Sequence, residues 1–186
     1  MKKLQVAIFI SGRGSNLESL IQSSFKKQSL VEVQLVISNN SKAKGLTIAK
    51  KNKIPFIHFI PRKNFENKVM KYLKNIDIIC LAGFMQVLDS KFVSQWRSRL
   101  INIHPSYLPA FKGLNAQDQA IKAKASYSGC SVHYVSAKID SGKIILQKKV
   151  KILKKDNTES LSKKILIEEQ YKWEYYISFQ LALKKN

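Results

Sequence analysis

Short apolar runs recur along the chain and alternate with segments whose apolar residues follow helical spacing. The first run, Leu4 to Ile10, is continuous and rich in Val and Ile, which is typical of a strand buried on both faces. Comparable runs predict further strands at residues 31–38, 54–59, 76–82, 100–104, 128–135 and 144–153. Helical spacing predicts helices after Ser15, at 42–52, 65–74 and 90–96, and from Asp156 towards Leu183.

Polar residues at three of these helix starts can cap free backbone N–H groups. Ser15 with Glu18, and Asp156 with Glu159, have the spacing of a capping box. Asp89 stands directly before the predicted helix 90–96, where a carboxylate is a favourable N-cap.

Regular alternation of strands and helices predicts the fold class. It favours an α/β protein with a Rossmann-like, open, mostly parallel twisted sheet and helices on both faces. The link between the strands 128–135 and 144–153 is short, so these two are expected to be antiparallel. The 186 residues contain no repeat or linker, and we expect one domain over residues 1–186.

Strong positive charge is the most unusual feature of the composition. A formal net charge of +21 would ordinarily suggest a nucleic-acid partner. However, arginine, which is favoured for base-edge and bidentate phosphate contacts, occurs only four times, and the lysines are scattered from end to end. We therefore expect no specific nucleic-acid partner, although the charge should raise the affinity for anionic small molecules.

Cysteine usage and hydropathy bear on the cellular compartment. Cys80 and Cys130 lie in apolar runs without metal-site spacing, and we expect buried free thiols in a reducing cytosol. No segment approaches the roughly 18 apolar residues of a membrane span. The sequence thus predicts a cytoplasmic protein without a membrane partner or a metal, and it leaves open whether the protein is a monomer or a homodimer.

A glycine turn, Ser11-Gly-Arg-Gly-Ser-Asn16, connects the first strand to the first helix. Gly12 and Gly14 let the backbone approach a ligand, and the helix start offers free N–H groups that suit a phosphate. A tight turn without a ligand explains the same residues equally well. The dinucleotide-binding pattern is excluded, because it would need glycine where Leu17 stands.

Asn102 and His104 end the predicted strand 100–104. Because they are two positions apart, their side chains should share one face, and Pro105 then ends the strand. An amide beside an imidazole at the carboxyl end of a strand can form a catalytic site, whereas a core histidine beside a turn asparagine is the alternative. Asp140 is the natural candidate for a carboxylate that supports the charge of His104.

Glu169 falls in an apolar row of the last predicted helix, on the same side as Ile165 and Trp173. A carboxylate on an inward face should have a partner or a ligand. The alternative is a glutamate at the rim that pairs with Lys172.

The stretch Asn102-Ile-His-Pro-Ser-Tyr-Leu-Pro109, with Asp140 downstream, resembles the signature of the folate-dependent formyltransferases. Within that superfamily, the glycine turn, the block Leu81-Ala-Gly-Phe-Met85 and the chain length are similar to the glycinamide ribonucleotide formyltransferase family. The resemblance extends over nearly the whole chain. It implies the formyltransferase fold in a single domain at 1–186. It also implies transfer of a formyl group from 10-formyltetrahydrofolate, a co-substrate, to the amine of N1-(5-phospho-D-ribosyl)glycinamide in purine (IMP) synthesis.

The resemblance also implies roles for individual residues. Asn102, His104 and Asp140 match the catalytic residues, with His104 as the general acid and Asp140 supporting its charge and ordering a relay water. The positions implied for the ribonucleotide are Gly12, Arg13, Gly14, Ser15, Asn16 and Glu169. The positions implied for the folate are Arg62, Met85, Gln86, Val87, Leu88, Asn102, Ser136, Ala137, Lys138, Ile139 and Asp140. His133 also matches a position near the site.

Five positions depart from the family pattern. Gln86 stands where arginine is frequent, Asn115 and Gln117 replace histidines, Gln170 replaces a histidine, and Glu174 replaces a proline. Since the three catalytic positions are intact, these changes bear on affinity and rate more than on the activity itself.

Three other functions fit part of the sequence. A formyltetrahydrofolate hydrolase shares the Asn, His and Asp but usually carries a regulatory domain ahead of them, whereas the first strand here begins at residue 4. A methionyl-tRNA formyltransferase needs a tRNA-binding extension and has a different opening loop. A nonenzymatic nucleic-acid binder would account for the charge alone.

Overall fold

The sheet that the sequence predicts forms the centre of a computed structural model, which describes residues 2–59 and 64–169. Its seven strands are β1 Leu4–Ile10, β2 Val31–Ser38, β3 Phe56–His58, β4 Ile78–Leu81, β5 Leu100–His104, β6 Tyr127–Tyr134 and β7 Ile144–Lys151. They follow the order β3-β2-β1-β4-β5-β6-β7. The first five strands pair in parallel and the last two pairings are antiparallel, so the predicted open, mostly parallel sheet is confirmed.

Helices cover both faces of the sheet, as predicted. Their bounds are α1 Ser15–Ser24, α2 Lys44–Lys51, α3 Phe65–Met70, α4 Ser90–Gln95 and α5 Ala116–Lys122. A sixth helix, α6, begins at residue 158 and is described as far as residue 169. The predicted continuation of this helix towards Leu183 lies outside the described residues.

The inner strand β1 is apolar at every position except Gln5 because both of its faces are covered. Ile8 and Ile10 belong to a core that includes residues of α1 and α2. Phe9 belongs to the opposite core, with Phe65 of α3 and Phe92 of α4. Burial on two sides therefore explains why a continuous apolar run, and not an alternating one, marks this strand.

A smaller core lies under the antiparallel end of the sheet. Ala120 of α5, Cys130 of β6 and Val150 of β7 pack there with two residues of α6, Leu161 and Ile165. The pattern of the sequence does not predict α5, because the helix is short and buries only two small side chains, Ala116 and Ala120.

Only one of the three predicted helix caps is confirmed. The Asp89 side chain accepts a hydrogen bond from Phe92 N–H at 2.6 Å, as expected. The predicted box of Ser15 and Glu18 is wrong, because Gly14 is the N-cap of α1 and no side chain caps it. The box of Asp156 and Glu159 is also wrong by one position: Asn157 and Ser160 exchange backbone-to-side-chain hydrogen bonds at 3.1 and 2.9 Å.

Three predicted strands, β1, β2 and β5, have the predicted bounds, and the others differ by one to two residues at an end. Both cysteines are buried thiols, and neither forms a disulfide bond, as expected. Across residues 2–59 and 64–169, none of the helices has the length and hydropathy needed to traverse a bilayer. Because β1, β4 and β5 are parallel neighbours, the loops that follow them gather at one edge of the sheet.

Candidate active site

Asp140 lies in the loop between β6 and β7 and contacts two side chains of β5. Its Oδ2 atom is 3.3 Å from His104 Nδ1, and its Oδ1 atom is 3.5 Å from the Asn102 Nδ2 donor. Asn102 and His104 therefore share one face of β5, as their spacing predicts. The structure brings the three predicted catalytic residues together, and their roles in catalysis stay predictions.

Both ring nitrogens of His104 have partners. Nε2 lies 2.9 Å from the carbonyl oxygen of Phe111, and because a carbonyl can only accept, Nε2 carries a hydrogen. Burial lowers the pKa of His104, while the Phe111 carbonyl and the Asp140 carboxylate oppose that effect. The imidazole is thus held close to a carboxylate that would stabilise its protonated form once negative charge develops nearby.

His133 places a second imidazole on the same carboxylate. Its Nδ1 atom is 2.8 Å from the carbonyl oxygen of Tyr134, which fixes a hydrogen on that nitrogen. Its Nε2 atom is 3.5 Å from Asp140 Oδ1 and 3.3 Å from Asn102 Nδ2. His133 is buried and pairs with Asn102 across β5 and β6, so it belongs to the cluster itself.

Asp140 is held in its ionised form. Burial on its own would raise the pKa of Asp140, but the contact with His133, the Gly113 N–H at 2.8 Å and the charge of His104 bring it below its ordinary value. The backbone of Asp140 has a φ of 46°, in the left-handed region that Asp and Asn tolerate better than most residues.

Side chains that the sequence did not single out hold the turn after His104. Ser131 of β6 donates to the Ser106 carbonyl at 2.7 Å and accepts from Leu108 N–H at 3.0 Å. Gln147 of β7 donates to Ser131 Oγ at 2.9 Å and to the Leu108 carbonyl at 2.8 Å. These contacts join residues 16 to 39 positions apart, so no local pattern marks them.

The glycine turn places its residues at the start of α1. Gly14 has a φ of 86°, and a Cβ there would lie 2.6 Å from Gly45 Cα, so only glycine allows α1 and α2 to pack this closely. Gly12 and Arg13 are exposed, and a Cβ on Gly12 would meet nothing within 4 Å. The turn therefore combines a tightly packed side with an open side that a ligand could approach. Ser15 is half-buried at the start of the helix.

Glu169 meets Asn16 of the glycine turn. It is only 6% exposed, which contradicts the alternative of a rim glutamate, and its Oε2 accepts from Asn16 Nδ2 at 3.1 Å. Burial raises the pKa of Glu169 to about 7, although the bond from Asn16 opposes the shift. Asn16 Oδ1 is buried and has no hydrogen-bond partner within the described part of the chain. A carboxylate and a free amide oxygen together suit a ligand that donates hydrogen bonds, such as an amine.

The first expected folate segment, Met85–Leu88, follows β4 at the same edge of the sheet. Met85 and Val87 are 57% and 67% exposed, so the loop presents apolar surface that suits contact with a flat ring system. Gln86 Oε1 accepts from Asn39 Nδ2 at 3.3 Å. Leu88 is a core residue, so its side chain supports the loop from below.

The second expected folate segment, Ser136–Asp140, precedes the carboxylate of the cluster. Ala137, Lys138 and Ile139 are exposed, and Ser136 Oγ donates to the Lys138 carbonyl at 3.0 Å. Arg62, the remaining expected folate position, lies outside the described residues.

Of the departures from the family pattern, Gln170 and Glu174 also lie outside the described residues. Asn115 is the N-cap of α5, with a φ of 56°, and Gln117 is half-buried in its first turn. No group of three or more His, Cys, Asp or Glu side chains is placed to hold a metal ion in the part of the chain that the structure describes.

The cluster of Asn102, His104 and Asp140 lies at the end of β5, at the edge of the sheet where open α/β proteins bind their ligands. A protein-family model shows which class of protein the chain belongs to. The model for formyl transferases matches residues 4–176, and the chain belongs to the formyl transferase family. The resemblance inferred from the sequence is thus confirmed.

Two relatives that are similar to most of the chain have the name phosphoribosylglycinamide formyltransferase. The chain is 37% identical over 201 residues to the phosphoribosylglycinamide formyltransferase of Haemophilus influenzae, covering all of this chain and 92% of that one. It is 44% identical to the crystal structure of phosphoribosylglycinamide formyltransferase from Anaplasma phagocytophilum, with a TM-score of 0.84 over 91% of this chain and 82% of that one.

A longer relative shows the same similarity over part of its length. The trifunctional purine biosynthetic protein adenosine-3 of Bos taurus is 42% identical over 175 residues, which is 90% of this chain. The chain spans 17% of the length of that protein.

Proposed function

We propose that the chain transfers the formyl group of 10-formyltetrahydrofolate to the amine of N1-(5-phospho-D-ribosyl)glycinamide. The contact of Asn102, His104 and Asp140 in a chain of this family is the observation that carries the proposal. We also propose that the protein is cytoplasmic, that its substrates are small molecules, and that it is a monomer or a homodimer.

The reaction is acyl transfer, and the groups that it requires are present in the cluster. The amine nitrogen attacks the formyl carbon, a C–N bond forms, and the carbonyl electron pair moves onto oxygen. Asn102 and His104 supply N–H donors that can stabilise this oxyanion. When this electron pair re-forms the carbonyl bond, the bond between the formyl carbon and the folate nitrogen breaks. The folate nitrogen then gains a proton, and the attacking nitrogen loses one. No bond to the protein is needed at any step.

His104 is the proposed proton donor. The developing oxyanion favours protonation of the imidazole, which burial otherwise disfavours, and the ionised Asp140 stabilises the resulting cation. Asp140 is also the proposed acceptor for a water that carries protons between the two nitrogens. His104 must exchange its bond to the Phe111 carbonyl for one to the substrate in order to act.

The ribonucleotide is proposed to span from the glycine turn to Glu169. The exposed side of Gly12 and the N–H groups at the start of α1 suit its phosphate. Asn16 and the buried Glu169 suit the amine-bearing end, because one offers a free amide oxygen and the other a carboxylate. The folate is proposed to lie against Met85–Leu88 and Ser136–Asp140.

A folate hydrolase is the nearest alternative, because water could replace the amine at the same cluster. The Asn16–Glu169 pair favours the transferase, since a hydrolase has no amine to bind. A spectrophotometric assay with glycinamide ribonucleotide and 10-formyl-5,8-dideazafolate, each omitted in turn, separates the two. We expect turnover only when both are present; deformylation without the ribonucleotide would assign the hydrolase, and no reaction by the folded chain would refute the proposal.

A further inference from the structure

Ser11 connects the loops that follow three neighbouring strands. It stands directly after β1 and is 8% exposed. Its hydroxyl donates to Asn39 Oδ1, directly after β2, at 2.7 Å. The same oxygen accepts from the Met85 N–H, in the loop after β4, at 2.7 Å.

Asn39 continues this connection back to the same loop. It is 3% exposed, and its Nδ2 donates to Gln86 Oε1 at 3.3 Å. The hydrogen bonds therefore form a ring that starts and ends on Met85 and Gln86 and passes through two buried side chains. Each group has a fixed direction in this ring: Ser11 must donate to Asn39, and Gln86 must offer an acceptor.

We propose that Ser11 and Asn39 are positioning residues that set the distance between the two substrate loops. This inference rests on the proposed function, in which Gly12–Asn16 holds the ribonucleotide and Met85–Leu88 holds the folate. Ser11 is covalently next to the first loop and hydrogen-bonded to the backbone of the second. A shift of about 1 Å between bound reactants can lower the rate of a two-substrate reaction by roughly 100-fold, so this bridge bears on turnover more than on the affinity for either substrate.

Ser11→Ala tests the bridge, because it removes the hydroxyl that links Asn39 to Met85. We expect kcat to fall by about tenfold or more, while KM for each substrate changes by less than about threefold. Ser11→Thr keeps a hydroxyl and is expected to retain most of the activity. Ser24→Ala is the matched control, because it removes another buried serine hydroxyl, which donates to the Ile21 carbonyl at the far end of α1.

A second variant, Asn39→Leu, breaks the ring at its middle, at a buried residue outside the two substrate loops. If the ring acts as one unit, Ser11→Ala and Asn39→Leu should be non-additive in kcat, so that the double variant is little worse than the worse single variant. This comparison also covers the case in which Ser11→Ala folds poorly, since Asn39→Leu then reports the kcat effect alone.

Three results would overturn the inference: kcat within twofold of wild type in Ser11→Ala or Asn39→Leu, an effect confined to KM for the folate, or the same kcat loss in Ser24→Ala. These results are distinct from failure of the proposed function, which would appear as wild-type protein that does not turn over when both substrates are present. In that case the bridge has no two substrates to position, and both proposals fall.

Discussion

Asp140 is the residue on which the proposed chemistry depends most. Its carboxylate contacts His104, His133, Asn102 and the Gly113 amide, and the surroundings keep it ionised. Replacing it with Asn removes the charge, and Asn also tolerates the left-handed backbone at this position.

We therefore expect Asp140→Asn to lower kcat by at least about 100-fold, because the protonated His104 loses its counter-charge. Steady-state kinetics measures the loss, and denaturant unfolding checks that the fold is kept. Near-normal turnover in a folded Asp140→Asn variant would show that the reaction does not need the Asp140 carboxylate.

Glu169 should make the stability of the protein depend on pH. Its pKa rises from 4.5 to about 7 on folding, so the folded state holds a proton that the unfolded state has lost between these values. Stability is therefore lost as pH rises through this range, by on the order of 3 kcal/mol. Glu169→Gln cannot titrate, so its stability relative to wild type should increase between pH 4.5 and 7.5. Urea unfolding of both proteins at several pH values measures the difference, and a constant difference would contradict the raised pKa.

The same substitution tests where the ribonucleotide binds. Gln keeps an oxygen that can accept from Asn16 but loses the negative charge that an amine-bearing substrate would meet. We expect Glu169→Gln to raise KM for the ribonucleotide by about tenfold, with KM for the folate within about twofold. Initial rates with each substrate varied in turn give both constants. A loss of affinity for the folate alone would show that Glu169 does not bind the ribonucleotide, contrary to the proposal.

Much of the contact network at the site could not be predicted residue by residue. The spacing of Asn102 and His104 predicts a shared face, because alternation along a strand is a local property. The bonds of Ser131 with Gln147, and of Ser11 with Asn39 and Met85, depend on how distant loops meet. Common serines and amides carry no signal of such contacts in the sequence.

At the scale of elements, the close approach of α1 and α2 depends on a pair of glycines. A Cβ on Gly14 would lie 2.6 Å from Gly45 Cα, and its φ of 86° is strained for other residues. Gly12, two residues earlier, has open space around it.

Gly14 and Gly12 form a matched pair for substitution. We expect Gly14→Ala to lower the free energy of unfolding by about 2 kcal/mol or more, because it adds both a clash and backbone strain. Gly12→Ala should change stability by less than about 0.5 kcal/mol. Urea unfolding of both variants at one pH measures the two effects. Equal losses in the two variants would mean that the packing of α1 on α2 does not depend on Gly14.

The elements differ in how well the sequence predicts them, for a physical reason. β1, β2 and β5 are each followed directly by turn-forming residues, namely Ser11-Gly12, Asn39-Asn40 and Pro105, and their predicted bounds match the structure. α5 leaves little trace because it buries only two alanines. The cap of α6 is shifted to Asn157 because several adjacent polar residues can each accept a bond from the first turn, and tertiary context selects one.

At the scale of the whole molecule, charge is the feature that the fold does not explain. The chain has 33 basic and 12 acidic side chains, so most lysines and arginines have no acidic side chain of their own to pair with. The ion pairs of Lys122 with Asp118 and Lys163 with Glu159 lie on exposed helix surfaces, where such pairs contribute little. The proposed function uses the charge only to attract anionic substrates.

That use of the charge predicts weak, nonspecific binding to nucleic acid with a steep dependence on salt. A contact that neutralises six or more phosphates loses about 1,000-fold in affinity between 50 and 200 mM salt, because released counterions drive the binding. We expect a 20-base-pair duplex of arbitrary sequence to follow this dependence in fluorescence anisotropy, and a second duplex of unrelated sequence to bind equally well. Substrate turnover should change by less than about tenfold over the same range, since one phosphate releases far fewer counterions. Affinity for one duplex that survives 200 mM salt would instead indicate specific contacts, and it would support the nucleic-acid binder that the charge alone suggests.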